Sequence, residues 1–270
     1  MAVVMDSAAV VTWGGDGQPG AETTGAEIAQ SQTTLVFLHY FGGAASSWHW
    51  VAKPLAKKHG YRCFALNLPG FASTPPPQTV SIDEYAKFIA QTVAQQGIDD
   101  YVLIGHSMGG KLAMQVAIDQ THPPKQLILI APSPATTEPM PEEEKQRMIS
   151  KHPSRENAEI TLQNAAKQPL TTEQRELAIQ THMQIEDGVW RWWLRQGMEN
   201  SIADRVGNIS IPVTILASKD DPVIPFEAVQ TDIIDLIPNS KLVSTQNVGH
   251  LIPLEQPDWV VEQIVAAIAS

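Results

Sequence analysis

Tyr101-Val102-Leu103-Ile104-Gly105-His106-Ser107-Met108-Gly109-Gly110 is the stretch that decides the fold. The apolar run at its start reads as a strand buried on both faces. A helical pattern, Lys111–Gln120, starts directly after it. A strand that turns into a helix this abruptly forces the corner residue into strained backbone angles. Small residues two positions to either side, Gly105 and Gly109, relieve the crowding. Ser107 is then lifted above the sheet edge at a helix N-terminus, where backbone amides favour negative charge. A bare G-x-S-x-G match is weak, because three fixed positions recur by chance; between a strand and a helix it reads as a nucleophile elbow. The competing reading is a tight turn with an incidental serine.

Outward from the elbow the same rhythm repeats. Leu35–Leu38, Arg62–Leu66 and Gln126–Ile130 read as further buried strands. Helices are expected over about 46–59 and, opened by the capping-box spacing Ser81-Ile82-Asp83-Glu84, up to Gly97. Strands alternating with helices and lacking hairpin turns imply a parallel sheet with crossover helices. Before Thr34 the pattern is weaker; Ala8–Trp13 and Ala26–Gln30 are read as an edge hairpin.

After residue 134 the strands stop. Helices are expected from Pro141, with Glu142, Glu143 and Glu144 at the positive end of the dipole, and near 155–167, 172–183 and 187–200. The alternation resumes at Pro212–Leu216, continues with a strand near 241–245 and ends in a helix opened by Pro257. The reading is an α/β core over residues 1–134 and 209–270, with an all-helical insertion over 135–208 between two neighbouring strands. Ligands bind such sheets at the strand C-termini, so the insertion is expected to roof the site.

Bulk properties narrow the function. Hydrophobic residues form 43% of the 270-residue chain and charged residues 17%, a balance that supports a buried core. The 18 basic and 29 acidic residues leave a net charge of -11, which argues against nucleic-acid and anionic-membrane partners. The single cysteine, Cys63, forbids an internal disulfide and reads as a core residue. No signal-peptide pattern and no apolar segment approaching about 20 residues is present, so a soluble, cytoplasmic protein is expected. No cluster with metal-ligand spacing and no phosphate-binding glycine pattern stands out, so neither metal nor cofactor is expected. Nothing in the sequence specifies an oligomeric state.

A nucleophilic serine needs a base, since its own pKa leaves almost no alkoxide. His250, in Val248-Gly249-His250, follows the last expected strand and falls on the same sheet edge as Ser107. His49, His59, His122, His152 and His182 are read as incidental. The base needs an orienting carboxylate, and the loop Ser218-Lys219-Asp220-Asp221-Pro222 offers two. An oxyanion needs amide donors: Met108 N–H, and a second from His39-Tyr40-Phe41-Gly42-Gly43, with Phe41 preferred and Tyr40 next.

With these residues in hand, the sequence resembles the α/β-hydrolase family, in its lidded esterase, peroxidase and C–C-hydrolase branch. The resemblance runs from Thr34 to Ser270. It rests on His39–Gly43, Asn67-Leu68-Pro69-Gly70-Phe71, the Ser107 elbow, Asp221-Pro222-Val223-Ile224-Pro225 and Gly249-His250, in that order. The resemblance selects Asp221 over Asp220, because the family's acid stands four residues before the proline of the fourth motif. The family's other acid position, here Ala131-Pro132-Ser133-Pro134, holds no carboxylate. Two positions depart from the pattern: His39-Tyr40 stands for the usual His-Gly, and Asn67 for the usual Asp. A serine nucleophile sets the chain apart from the haloalkane dehalogenases and epoxide hydrolases of this fold, which use aspartate. His39 and His106 are implied to be structural.

In the insertion, Trp190 and Trp193 share a helix face, and they join Leu251 as candidates for the substrate pocket. Arg191 or Arg195 is a candidate for binding a substrate carboxylate. The reading is a serine hydrolase of a small carboxylic ester or thioester, with a small-molecule partner. Its rivals are cofactor-free perhydrolysis or haloperoxidation, C–C bond hydrolysis, and a non-catalytic ligand-binding protein of the same fold.

Overall fold

Strict alternation of side chains on buried strands builds this molecule in three layers. In a computed structural model, which describes residues 10–14, 33–119 and 121–269, seven strands form one sheet: β1 (Val10–Trp13), β2 (Thr34–Leu38), β3 (Arg62–Leu66), β4 (Tyr101–His106), β5 (Gln126–Ile130), β6 (Val213–Ser218) and β7 (Ser240–Thr245). Their spatial order is β1-β3-β2-β4-β5-β6-β7. All neighbours are parallel except β1, which runs antiparallel to β3 in the register Val10 to Leu66. The expected first strand therefore exists and lies at the edge, but its observed partner is β3. The other half of the expected hairpin, Ala26–Gln30, lies outside the described residues.

The crossover helices are α1 (His49–His59, entered through a 3-10 turn at Ala45–Trp48), α2 (Ile82–Gln95) and α3 (Met108–Asp119). Val36, Leu38, Leu103 and Leu127 point to the face covered by α2 and α3, where Tyr85, Ile89, Leu112 and Val116 meet them. Leu35, Phe37, Val102, Ile104 and Ile128 point to the opposite face, closed by Val51 and Leu55 of α1 and by Val260 and Ile264 of the last helix. Both faces are dry, as a parallel sheet requires. Cys63 is buried on the second face, and burial pushes its thiol up to about 12.

Ser81 caps α2 by accepting from Glu84 N at 3.1 Å. The reciprocal half of the expected capping box is replaced: the Glu84 carboxylate takes Lys87 at 2.7 Å. A full capping box closes on Thr171 and Gln174 instead.

Between β5 and β6 the chain forms α4 (Glu142–Ser150), α5 (Arg155–Ala165), α6 (Thr172–Met183) and α7 (Asp187–Trp192), the last continuing into a π-helical turn at Trp193–Gly197. Pro141 stands at the cap of α4, one position earlier than expected. Trp190, Trp193 and Leu194 join the apolar cluster on the α2–α3 face, so these helices share the core of the sheet. After β6 come α8 (Phe226–Val229) with a π-helical turn to Ile234, which the sequence reading missed, then α9 (Ile252–Glu255) and α10 (Pro257–Ile268).

Candidate active site

Ser107 stands at the corner between β4 and α3 with φ of 54°, the left-handed region that L side chains rarely adopt. The crowding expected there is quantitative. A Cβ on Gly105 would lie 2.3 Å from Gly109 O, so only glycine fits. The Ser107 carbonyl accepts from Ser133 N at 3.0 Å and Gly110 N at 2.8 Å, which pins the corner to the chain leaving β5.

The loops after β6 and β7 bring the base and the acid to the same edge. His250 Nδ1 lies 2.8 Å from Asp221 Oδ2, and His250 Nε2 lies 2.9 Å from Ser107 Oγ. An ionised carboxylate only accepts, so Nδ1 carries the proton, Nε2 is left as the acceptor and Ser107 O–H donates to it. Asp221 Oδ1 accepts from Val223 N at 2.8 Å and Ile224 N at 3.0 Å. Asp220 points away, to Asn247 N and the Lys167 ammonium. The loop alone offered two aspartates and the family resemblance selected Asp221; Asp221 is the one that lies at His250.

Burial alone would depress His250, but the Asp221 charge and hydrogen bond, with Glu138 and Glu255 further off, hold its pKa above the ordinary histidine value. Burial alone would raise Asp221. The His250 imidazolium and the two backbone donors outweigh it, so the carboxyl stays below its ordinary range.

Two buried histidines brace the edge. His106 Nε2 donates to the His250 carbonyl at 2.9 Å. His39 Nδ1 donates to Tyr40 O at 2.8 Å, while its Nε2 accepts from Leu68 N at 3.2 Å. Burial lowers His39 to about 4 and His106 to about 3, so both are neutral spacers. Asn67 Oδ1 accepts from Ala45 N at 2.8 Å. The turn after β2 therefore hangs from these side chains. Tyr40 lies against the ring of His106, and its own ring leaves no room for a Cβ at Gly43, which would sit 2.5 Å away. That glycine is what accommodates a tyrosine at position 40. Phe41 follows on this turn, and Met108 opens α3 next to Ser107.

A cavity of about 320 Å³ opens onto Ser107 and His250. Trp190, Trp193 and Leu251 all line it, together with Tyr40 and Phe41. Phe41 stacks on Trp190 with centroids 4.4 Å apart and planes 17° apart. Neither Arg191 nor Arg195 lines the cavity: Arg191 pairs with Asp187 at 2.7 Å and Arg195 is exposed. The expectation of an arginine for a substrate carboxylate is corrected accordingly.

Three residues of this region escaped the sequence reading. His182, taken there as incidental, lines the cavity, as does Glu138. Glu255 accepts from Gly249 N, Lys167 N and Gln168 N, each at 2.8 Å, and from Leu251 N at 3.0 Å. A carboxylate five residues after the Gly249-His250 pair is the sequence trace of that last role. Among the described residues no helix is long and apolar enough to cross a membrane.

An all-parallel run of strands, a serine at a left-handed corner and a histidine and aspartate on the same edge define a class of proteins, the α/β-hydrolase fold. Residues 35–263 match the family model described as the alpha/beta hydrolase family, and the chain belongs to that family. The chain is 33% identical over 105 residues to the sn-1-specific diacylglycerol lipase ABHD11 of Danio rerio, a match spanning 39% of this chain and only 33% of that relative. It is 27% identical to the bifunctional esterase/perhydrolase DCH of Acinetobacter calcoaceticus, over 87% of this chain and 92% of the relative. Among solved structures, an esterase from Exiguobacterium antarcticum superposes with a TM-score of 0.82 at 18% identity, covering 97% of this chain and 95% of that one. At that identity the likeness speaks for the fold alone.

Proposed function

We propose that this protein is a serine hydrolase that cleaves a small carboxylic ester or thioester through an acyl-enzyme. The observation that carries the reading is the unbroken relay from Ser107 Oγ through His250 to Asp221, at 2.9 and 2.8 Å. His250 takes the Ser107 proton as Oγ attacks the substrate carbonyl, and Asp221 steadies the imidazolium that forms. The oxyanion is assigned to the Met108 and Phe41 amides, with Tyr40 N–H as the alternative second donor. His250 then gives its proton to the leaving alkoxide or thiolate. In the second half it activates water, which releases the acid and restores Ser107. Residues 135–208 act in this reading as a cap that roofs the cavity, with Trp190, Trp193 and Leu251 as its apolar wall. The named activities of the lipase and esterase relatives favour the same chemistry.

Hydrolysis of p-nitrophenyl acetate and butyrate tests it. The native chain should turn both over, and Ser107→Ala should lose several powers of ten in rate. Undiminished turnover in the variant rules Ser107 out as nucleophile. A chain that neither turns over esters nor reacts with a fluorophosphonate is a binding protein.

Perhydrolysis is the second reading, favoured by the near full-length match to an esterase/perhydrolase. Hydrogen peroxide would replace water at the acyl-enzyme and leave as a peracid. Bromide oxidation that requires both peroxide and acetate is the diagnostic.

A further inference from the structure

The cavity wall is mostly apolar, with Phe41, Met148, Trp190, Trp193, Leu194 and Met198 prominent in it. Against this background two polar side chains are anomalous. Glu138 is only 6% exposed, and its buried Oε2 makes no hydrogen bond of normal length among the described residues; the Ser133 hydroxyl, also buried and without one, is the side chain that acts on this carboxyl. Its backbone is fixed by Glu138 N donating to Met198 O at 2.8 Å, so the side chain is held at this wall. No lysine or arginine among the described residues comes within ion-pair distance of it. The buried Lys111 ammonium nearby donates instead to Thr136 O at 2.9 Å. His182, 4% exposed, repeats the pattern elsewhere on the wall: neither ring nitrogen has a partner among the described residues.

A buried polar atom left unpaired is costly, and one that lines a cavity calls for a partner that enters with the ligand. Resting on the serine-hydrolase reading, we propose that the substrate bears a free hydroxyl group in addition to its scissile carbonyl, and that the Glu138 carboxyl on the cavity wall holds that hydroxyl. Glu138 is thus a specificity-determining residue, and the substrate class is a hydroxylated ester.

The chemistry of the two groups selects a hydroxyl over a charged partner. Burial pushes the Glu138 carboxyl upward, against the lowering pull of the Ser133 hydroxyl's hydrogen bond and of the His250 and Lys111 charges, so holding a full negative charge here is disfavoured. Burial pushes His182 down to about 3, with His152 and Arg147 adding to the effect, so it is neutral as well. A carboxyl oxygen accepts from a hydroxyl whether or not the group is protonated, and a neutral imidazole both donates and accepts, as a hydroxyl does. An ammonium would need the ionised carboxylate that burial disfavours, and a substrate carboxylate would meet no lysine or arginine on the cavity wall. A site built to hydrogen-bond a substrate hydroxyl rejects the analogue that lacks it far more strongly than an apolar pocket discriminates methylenes.

The test compares ethyl butyrate with 2-hydroxyethyl butyrate, ethyl 3-hydroxybutyrate and the cationic 2-(dimethylamino)ethyl butyrate. Turnover is read on the native chain, and affinity on Ser107→Ala by titration calorimetry. At least one hydroxylated ester should exceed ethyl butyrate by about ten-fold or more in kcat/KM and in affinity. Glu138→Leu should bring both ratios to about one. Glu138→Gln should keep most of the preference, because a carboxamide also donates and accepts, and it guards against a misfolded leucine variant. A ratio near one in the unaltered pocket, a ratio that survives Glu138→Leu, or a preference for the cationic ester overturns the proposal. The affinity measurement separates the two readings: selective binding without ester turnover by the native chain sinks the hydrolase reading alone, and turnover without selectivity sinks this one alone.

Discussion

In the proposed reaction His250 deprotonates Ser107, while Asp221 on its other side makes it easier to protonate. Its pKa lies above the ordinary histidine value, and the base works only when neutral. The rate of ester hydrolysis should therefore rise with pH through a midpoint above about 6.5; a flat kcat/KM between about pH 5 and 8 would remove His250 from that role. Asp221→Asn takes away the charge that raises the imidazole and offers the wrong tautomer. It should cost about 10⁴-fold in kcat and move the acidic limb of the profile to lower pH. A loss of kcat with no movement of the limb would mean that Asp221 acts by packing. At this scale Ser107 and His250 were legible in the sequence because each follows a strand and carries a glycine signature. Glu138 and His182 were not, because a lone acid and a lone histidine in helical or loop sequence look the same whether they face solvent or a cavity.

The β4–α3 corner holds Ser107 in the left-handed region, and its glycines answer contacts that can be stated in ångströms. Gly105→Ala puts a methyl 2.3 Å from Gly109 O, which is backbone and cannot rotate away. The corner must open, costing about 1–3 kcal/mol of stability by overpacking, and Ser107 moves with it. Urea unfolding and p-nitrophenyl butyrate turnover should both show the loss; a stable but inactive variant would locate the effect in serine placement alone. The elements most clearly read from sequence are those with a dry face on each side, β2 to β6, where side-chain alternation fixes the register. The short α8 and its π-helical turn escaped notice because Phe226–Ile234 shows no clean helical period over so few residues. The reciprocal half of the capping box at Ser81 failed because Lys87, one turn on, competes for Glu84.

Over the whole molecule, the helices between β5 and β6 are fused to the sheet by shared packing. Trp190 is fully buried between His152, stacked at 4.3 Å, and Phe41, and its indole N–H donates to Met148 O at 3.0 Å. Trp190→Ala should cost about 3–5 kcal/mol in a denaturant melt and lower kcat/KM, since Phe41 loses the surface that steadies its turn. Acid should also weaken the fold. His39, His106 and His182 are neutral when folded, with pKa values of about 4, 3 and 3, and take up protons near 6.5 when unfolded. The unfolded chain then binds more protons below that pH, so stability falls as pH falls. Near pH 5 the loss is roughly 2 kcal/mol for each of the three. His250, raised when folded, works in the opposite sense: it adds stability below its unfolded pKa and loses it as pH rises through the folded one. Three groups outweigh one, so urea midpoints should drop between about pH 7.5 and 5, and an unchanged midpoint would contradict the buried neutral histidines.

Glu255 gives the molecule a property of a machine with a shared bolt. One carboxylate clamps Gly249 and Leu251, on either side of His250, and at the same time Lys167 and Gln168 at the far end of α5. His250 N adds a 2.7 Å bond to Ala165 O from the same place. The segment 165–168 and the His250 loop are therefore joined rather than separately adjustable. A movement of residues 165–168 would act on the His250 loop through the same carboxylate.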